Sequence, residues 1–180
     1  MESEEFKMPI GAPAIELDLP SVDGKTYMLR YFHNKEIIVM VFTCNHCPYA
    51  QAYEDRIIRL AREFLKKAAF IAISSNDAMK YTQDSFENMK VRAREKGFPF
   101  PYLYDETQES ARAYGALVTP HVFVFDSAGK LAYQGGVDNN WENEGAATEH
   151  YLRDALVELS EHRPVSRKTA PVMGCSIKWK

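Results

Sequence analysis

The chain lacks most of the features that identify a protein by composition alone. With 22 Lys and Arg against 25 Asp and Glu, it carries a net charge of -3. That excludes the basic footprint of a nucleic-acid binder or of a protein held to an anionic membrane. No apolar run approaches the roughly 20 residues of a membrane-spanning helix. The opening MESEEFKMPI is acidic, without the basic start and apolar stretch of a secretory signal, so a cytoplasmic location is expected. There are no internal repeats and no low-complexity tract. Cysteine is scarce and odd in number, at three. In a reducing compartment, cysteines close in sequence point to redox chemistry or metal binding rather than to a disulfide framework.

What is present supports one domain. Of the 180 residues, 46% are hydrophobic and 12% aromatic, enough for one sizeable core. Residues 15–19 (IELDL) alternate like a half-buried strand, Asp23-Gly24 marks a turn, and Thr26 to Leu29 reads as the return strand of a hairpin. Ile37 to Phe42 is apolar throughout, the pattern of a strand buried on both faces. From Pro48 the period becomes helical, with Tyr53, Ile57, Leu60, Ala61, Phe64 and Leu65 on one face. Arg59, Arg62, Lys66 and Lys67 fall on the solvated face of that helix.

Ala69 to Ser74 is a second buried strand, and a helix follows over Asp84 to Lys96, stopped by Gly97 and Pro99. Phe98 to Tyr104, rich in aromatics, reads as a packed connector. A shorter helix spans Glu106 to Tyr114, with Asp105 and Glu106 capping its start. Val122 to Phe125 and Lys130 to Gln134 form a second hairpin, Asp138 and Trp141 lie in a solvated loop, and Ala147 to Glu161 is a closing helix. The order predicts a three-layer α/β sandwich with a mixed central sheet, an N-terminal hairpin and an inserted helix. The domain is expected over 1–162, with 163–180 an irregular C-terminal tail packed on it.

Chemistry concentrates at Cys44-Asn45-His46-Cys47, between the first buried strand and the following helix. A helix N-terminus carries unpaired N–H groups and partial positive charge, which favour a thiolate, here expected at Cys44. Cys47 is near enough to resolve a mixed disulfide formed on Cys44. An imidazole at His46 would favour the reduced pair and make its disulfide a stronger oxidant. A zinc set of Cys44, Cys47, Cys175 and either His46 or His121 is the alternative, but no second C-x-x-C or H-x₃₋₅-H is present to close it. Cys175 is either a third redox thiol, if the tail folds back, or a small residue packed beneath it. His121, directly after Pro120, either nears the cysteine pair or faces outward at a strand start.

A C-x-x-C at a strand–helix junction, with Thr119-Pro120 before a later strand, resembles the thioredoxin superfamily. The hairpin, the inserted helix and the stretches CNHCPY, YLYDETQ, AYGALVTPHVFVFD and GCSIKWK resemble its redoxin branch, within it the peroxiredoxin-like group that carries a C-x-x-C. The resemblance spans nearly the whole chain. It implies a cis Pro120 facing the cysteines, with the Thr119 backbone pairing with substrate. It also implies a thiol–disulfide oxidoreductase acting on protein disulfides or dithiols with a thiol electron donor. Neither an organic cofactor nor a nucleic-acid or membrane partner follows from it.

Departures from the family pattern are specific. Thr43 stands where thioredoxins have tryptophan, and Ile38 where they have a buried acid. The peroxiredoxin Pro-x-x-x-Thr/Ser-x-x-Cys fits neither cysteine. With Cys47 peroxidatic, its threonine and proline places hold Cys44 and Met40; with Cys44, they hold Val41 and Ile37. A thiol peroxidase using Cys47 is therefore the second expectation, and a metal-binding or redox-sensing module the third.

Overall fold

A computed structural model describes residues 6–180. Met1 to Glu5, half of the stretch read against a secretory leader, lie outside the described residues. The elements in order are β1 (Asp18–Pro20), β2 (Thr26–Met28), β3 (Ile37–Thr43), α1 (Pro48–Glu63), β4 (Ala68–Ser74), α2 (Phe86–Lys96), β5 (Tyr102–Tyr104), α3 (Glu109–Tyr114), β6 (Val118–Thr119), β7 (His121–Phe125), β8 (Leu131–Gly135), α4 (Tyr151–Ser160) and β9 (Cys175–Ser176). β1 and β2 form the expected antiparallel hairpin.

The main sheet has five strands in the order β5-β4-β3-β7-β8. β3, β4 and β5 run parallel, while β7 is antiparallel to β3 and β8 to β7, so the sheet is mixed. Every residue of β3 is buried because both faces of the sheet are covered. Ile37, Val39 and Val41 join one core with Tyr53, Ile57 and Leu60 of α1 and Leu152 and Leu156 of α4. Ile38, Met40 and Phe42 point the other way, into a core with Leu17, Leu29 and Tyr114. The two-residue period of a strand and the continuous apolar run together make β3 the middle of three layers.

Several boundaries differ from expectation for identifiable reasons. The aromatic connector contains a strand, β5, whose Tyr102 and Leu103 pair with Ala72 and Ile73. Three residues are too few for alternation to show in the sequence, and Pro99 and Pro101 hide the rest. α2 starts at Phe86 because the Ser85 hydroxyl accepts from the Asn88 N–H at 3.2 Å, taking the cap and leaving Asp84 outside the helix. The Asp105 carboxylate, not Glu106, accepts from the N–H groups of Ser110 and Ala111 near the start of α3, at 3.2 and 2.9 Å.

Asp138 is not solvated. Its carboxylate accepts two bonds from Arg56 Nη1, at 2.9 and 2.7 Å, in a pair buried beside α1, as a buried charge requires. The same loop lays Trp141 on Tyr49 at the start of α1, ring centres 4.4 Å apart. The tail buries Val165, Ala170, Val172 and Ile177. It is not wholly irregular, because β9 pairs antiparallel with β6. No helix among the described residues is long and apolar enough to cross a membrane.

Candidate active site

β3 delivers the chain to Thr43, and Pro48 is the first residue of α1, where its fixed φ and missing N–H suit a helix start. Cys47 is therefore the N-cap, in extended backbone, and Cys44 lies before the turn. This corrects the expectation that the helix terminus acts on Cys44. The N–H groups at the head of α1 lie nearest Cys47, where the Ala50 N–H favours the ionised sulfur.

Both thiols are buried, Cys44 1% and Cys47 0% exposed, and no disulfide joins any of the three cysteines. The Thr119–Pro120 peptide is cis, and it turns Thr119 toward both sulfurs. Cys44 Sγ is 3.4 Å from Thr119 Oγ1, and protonated Cys47 donates to the Thr119 carbonyl at 3.2 Å. Ionised, Cys47 accepts instead from Cys44, then from Cys175, the Ala50 N–H and Thr119. Together these hold its pKa below the usual thiol range despite burial. Cys44 moves the opposite way: its bond to Cys47, its burial and the charge of Asp84 all keep its proton on.

His46 is partly buried, and its Nδ1 lies 2.5 Å from Asp84 Oδ2. Its ring stacks on Tyr81 with 7° between planes. Asp84 is fully buried. Its Oδ1 accepts from the N–H groups of Asn45 and His46 at 2.8 and 3.3 Å, and its Oδ2 also takes Asn76 Nδ2 at 2.8 Å. One carboxylate thus fixes the backbone of the C-x-x-C turn and orients its imidazole. Asn45 is held on its other side by the Tyr102 hydroxyl at 2.8 Å.

Sequence reasoning placed Asp84 in a helix and missed this role. The available signal was Asp84-Ser85, two adjacent residues of N-cap type where a helix needs one. Asp84→Asn should lower stability by about 1.5–3 kcal/mol, since an amide cannot accept all the bonds this carboxylate holds. An unchanged urea midpoint would show that the turn is held by other groups.

Cys44, His46 and Asp84 each place a ligating atom within 4.8 Å of the others. The cluster includes neither His121 nor Cys175, and both Asp84 oxygens are already engaged, so the Cys₃His set considered from sequence is not assembled. His121 is fully buried in β7, with Nδ1 accepting from the Leu117 N–H at 3.2 Å and its ring 4.4 Å from that of Phe123. Cys175 stands opposite Thr119 in the β6–β9 pairing and packs against Cys44, Cys47 and Ala50. The tail therefore does fold back over the pair.

The AhpC/TSA family profile matches residues 10–134. The chain belongs to the AhpC/TSA family. Among solved structures, an uncharacterized conserved protein of Geobacillus kaustophilus is 44% identical at a TM-score of 0.92, covering 100% of this chain and 97% of its own. The peroxidoxin BcpB of Mycobacterium tuberculosis is 19% identical at a TM-score of 0.65, covering 87% and 99%. A thioredoxin-family thiol:disulfide interchange protein of Chlorobium tepidum TLS is 19% identical at 0.59, covering 71% and 86%. The last two likenesses are of fold, and the fold of this AhpC/TSA chain is thioredoxin-like, with a mixed central sheet and, among the described residues, four α-helices. None of the curated proteins compared matches the chain significantly.

Proposed function

We propose that this redoxin is a thiol–disulfide oxidoreductase in which Cys44 and Cys47 cycle between dithiol and disulfide. The observation that carries the reading is the geometry of two buried thiols, one just past β3 and one at the N-cap of α1, both in contact with Thr119 beside the cis Pro120. Cys47, at the head of α1, is drawn toward thiolate, while Cys44 beside it keeps its proton. That is the division of labour thiol–disulfide exchange needs, an ionised attacking sulfur and a second thiol to displace it. Thr119, next to Pro120 and in contact with both sulfurs, is the backbone edge against which a substrate is positioned. Substrates are protein disulfides or dithiols, with a low-molecular-weight or protein thiol as electron donor in the cytoplasm. The two electrons reside in the protein's own sulfurs, so the reaction calls for no organic cofactor.

Peroxide reduction is the second reading, favoured by the depressed Cys47 thiol but opposed by the occupants of its surroundings. Cys44 and Met40 stand where a peroxide pocket has threonine and proline. The two readings separate in one pair of assays on the reduced protein. Insulin disulfide reduction with dithiothreitol should be catalysed, and hydrogen peroxide consumption should be no faster than that of an ordinary thiol. Rapid peroxide consumption that survives Cys44→Ser, with insulin left intact, would replace the proposal with the peroxidase.

A further inference from the structure

The working pair is sealed. Cys44 and Cys47 are 1% and 0% exposed, and Cys175, which packs against them, is the thiol of the three that is partly exposed. β9 lies along β6, opposite Thr119, so the tail occupies the edge assigned above to substrate. The approach is built in at both ends. A Cβ on Gly174 would fall 2.2 Å from the Thr119 carbonyl, so the chain reaches β6 this closely only with glycine there. Beyond Cys175, Ile177 is buried. The Lys178 N–H donates to Asn76 Oδ1 at 2.9 Å, and the Lys178 carbonyl accepts from the Asp77 N–H at 2.7 Å and from Gln108 Nε2 at 2.9 Å. Asn76 is the residue whose Nδ2 also holds Asp84, so one side chain ties the tail to the turn carrying the pair.

We propose that Cys175 is the third redox thiol of the site, forming a disulfide with Cys47 through which the buried pair exchanges electrons with thiols in solution. The proposal rests on the thiol–disulfide reading above. From the oxidised pair, the Cys175 sulfur attacks Cys47. The Cys47–Cys175 bond forms, the Cys44–Cys47 bond breaks, and the proton leaving Cys175 ends on Cys44, the thiol that holds it most firmly. A low-molecular-weight thiolate then attacks the accessible Cys175 sulfur and expels Cys47, a good leaving group because its thiolate is stabilised. A second thiol frees Cys175 and departs as the mixed partner's disulfide, so two electrons enter and one disulfide leaves.

The test uses the full chain as wild type, Cys44→Ser and Cys175→Ser. Each is oxidised with one equivalent of diamide, blocked with N-ethylmaleimide and mapped by mass spectrometry without reduction. Cys44→Ser should yield a Cys47–Cys175 peptide pair. Cys175→Ser should still form Cys44–Cys47, but glutathione should reduce that bond about tenfold or more slowly than in wild type, since the entry sulfur is gone. Free Cys47 and Cys175 in oxidised Cys44→Ser, or equal glutathione rates in Cys175→Ser and wild type, would overturn the relay and leave the oxidoreductase standing. A Cys175→Ser protein that cannot form Cys44–Cys47 at all would remove the parent reading and the relay with it.

Discussion

Cys47→Ser should lower the rate of disulfide exchange at least about a thousandfold and leave no mixed disulfide with substrate, because a hydroxyl does not ionise near neutral pH. Cys44→Ser combined with Cys175→Ser should behave differently: with neither resolving thiol it captures substrate once, on Cys47, and then stalls. The asymmetry comes first from the Cys44–Cys47 hydrogen bond, which favours charge on Cys47 and the proton on Cys44, and the start of α1 adds to it. Pro48 fixes the first helical residue, Cys47 becomes the cap, and the free N–H groups of the first turn favour its thiolate. Cys44 must lose its proton before it can resolve the adduct. His46 lies beside it, its Nδ1 held on Asp84 Oδ2, with ligating atoms of Cys44, His46 and Asp84 inside 4.8 Å of one another. Mass spectrometry of adducts trapped on each variant reads the result directly. Adducts on Cys44 in Cys47→Ser, with none on Cys47 in the double variant, would return the attacking role to Cys44, where the sequence pattern first put it.

Acid should destabilise the protein through His121 across a defined window. Burial lowers this imidazole from 6.5 to about 3, and as a neutral ring it accepts from the Leu117 N–H. The unfolded chain takes up a proton below about pH 6.5 that the folded chain refuses. The stabilising contribution is therefore complete above pH 6.5 and is lost as pH falls toward 3. At about 1.4 kcal/mol per pH unit it totals roughly 4–5 kcal/mol. His121→Phe should lack this slope. Phe6 and Phe123 flank the ring, so an aromatic replacement fits, and the lost Leu117 bond costs the same at every pH. Urea unfolding of both proteins at pH 7, 6, 5 and 4 reads the difference. Parallel stability curves would show that His121 is protonated in the folded state or reached by water.

Much of the fold was legible because it is local in origin. The unbroken apolar run at Ile37 to Phe42 suits a strand covered on both faces, and the switch to helical period at Pro48 located the turn after it. What failed to show was short or decided at a distance. β5 is too brief for a period. Asp138 looked like a loop acid until α1 brought Arg56 against it. Asp84 looked like part of a helix until Ser85 took the cap and the fold carried its carboxylate to a turn 38 residues earlier.

Order and period along the chain are enough to place two cysteines at a strand–helix junction, a Thr-Pro pair before a later strand, and a third cysteine near the C-terminal end. These are facts of spacing and period. Which thiol meets the helix terminus, which acid holds the histidine, and whether Cys175 reaches the pair were decided by tertiary structure. Each depends on groups far apart in the chain meeting at fractions of a nanometre. Cys175 and Thr119 are 56 residues apart and face each other across one pair of strands, a contact that no local pattern encodes.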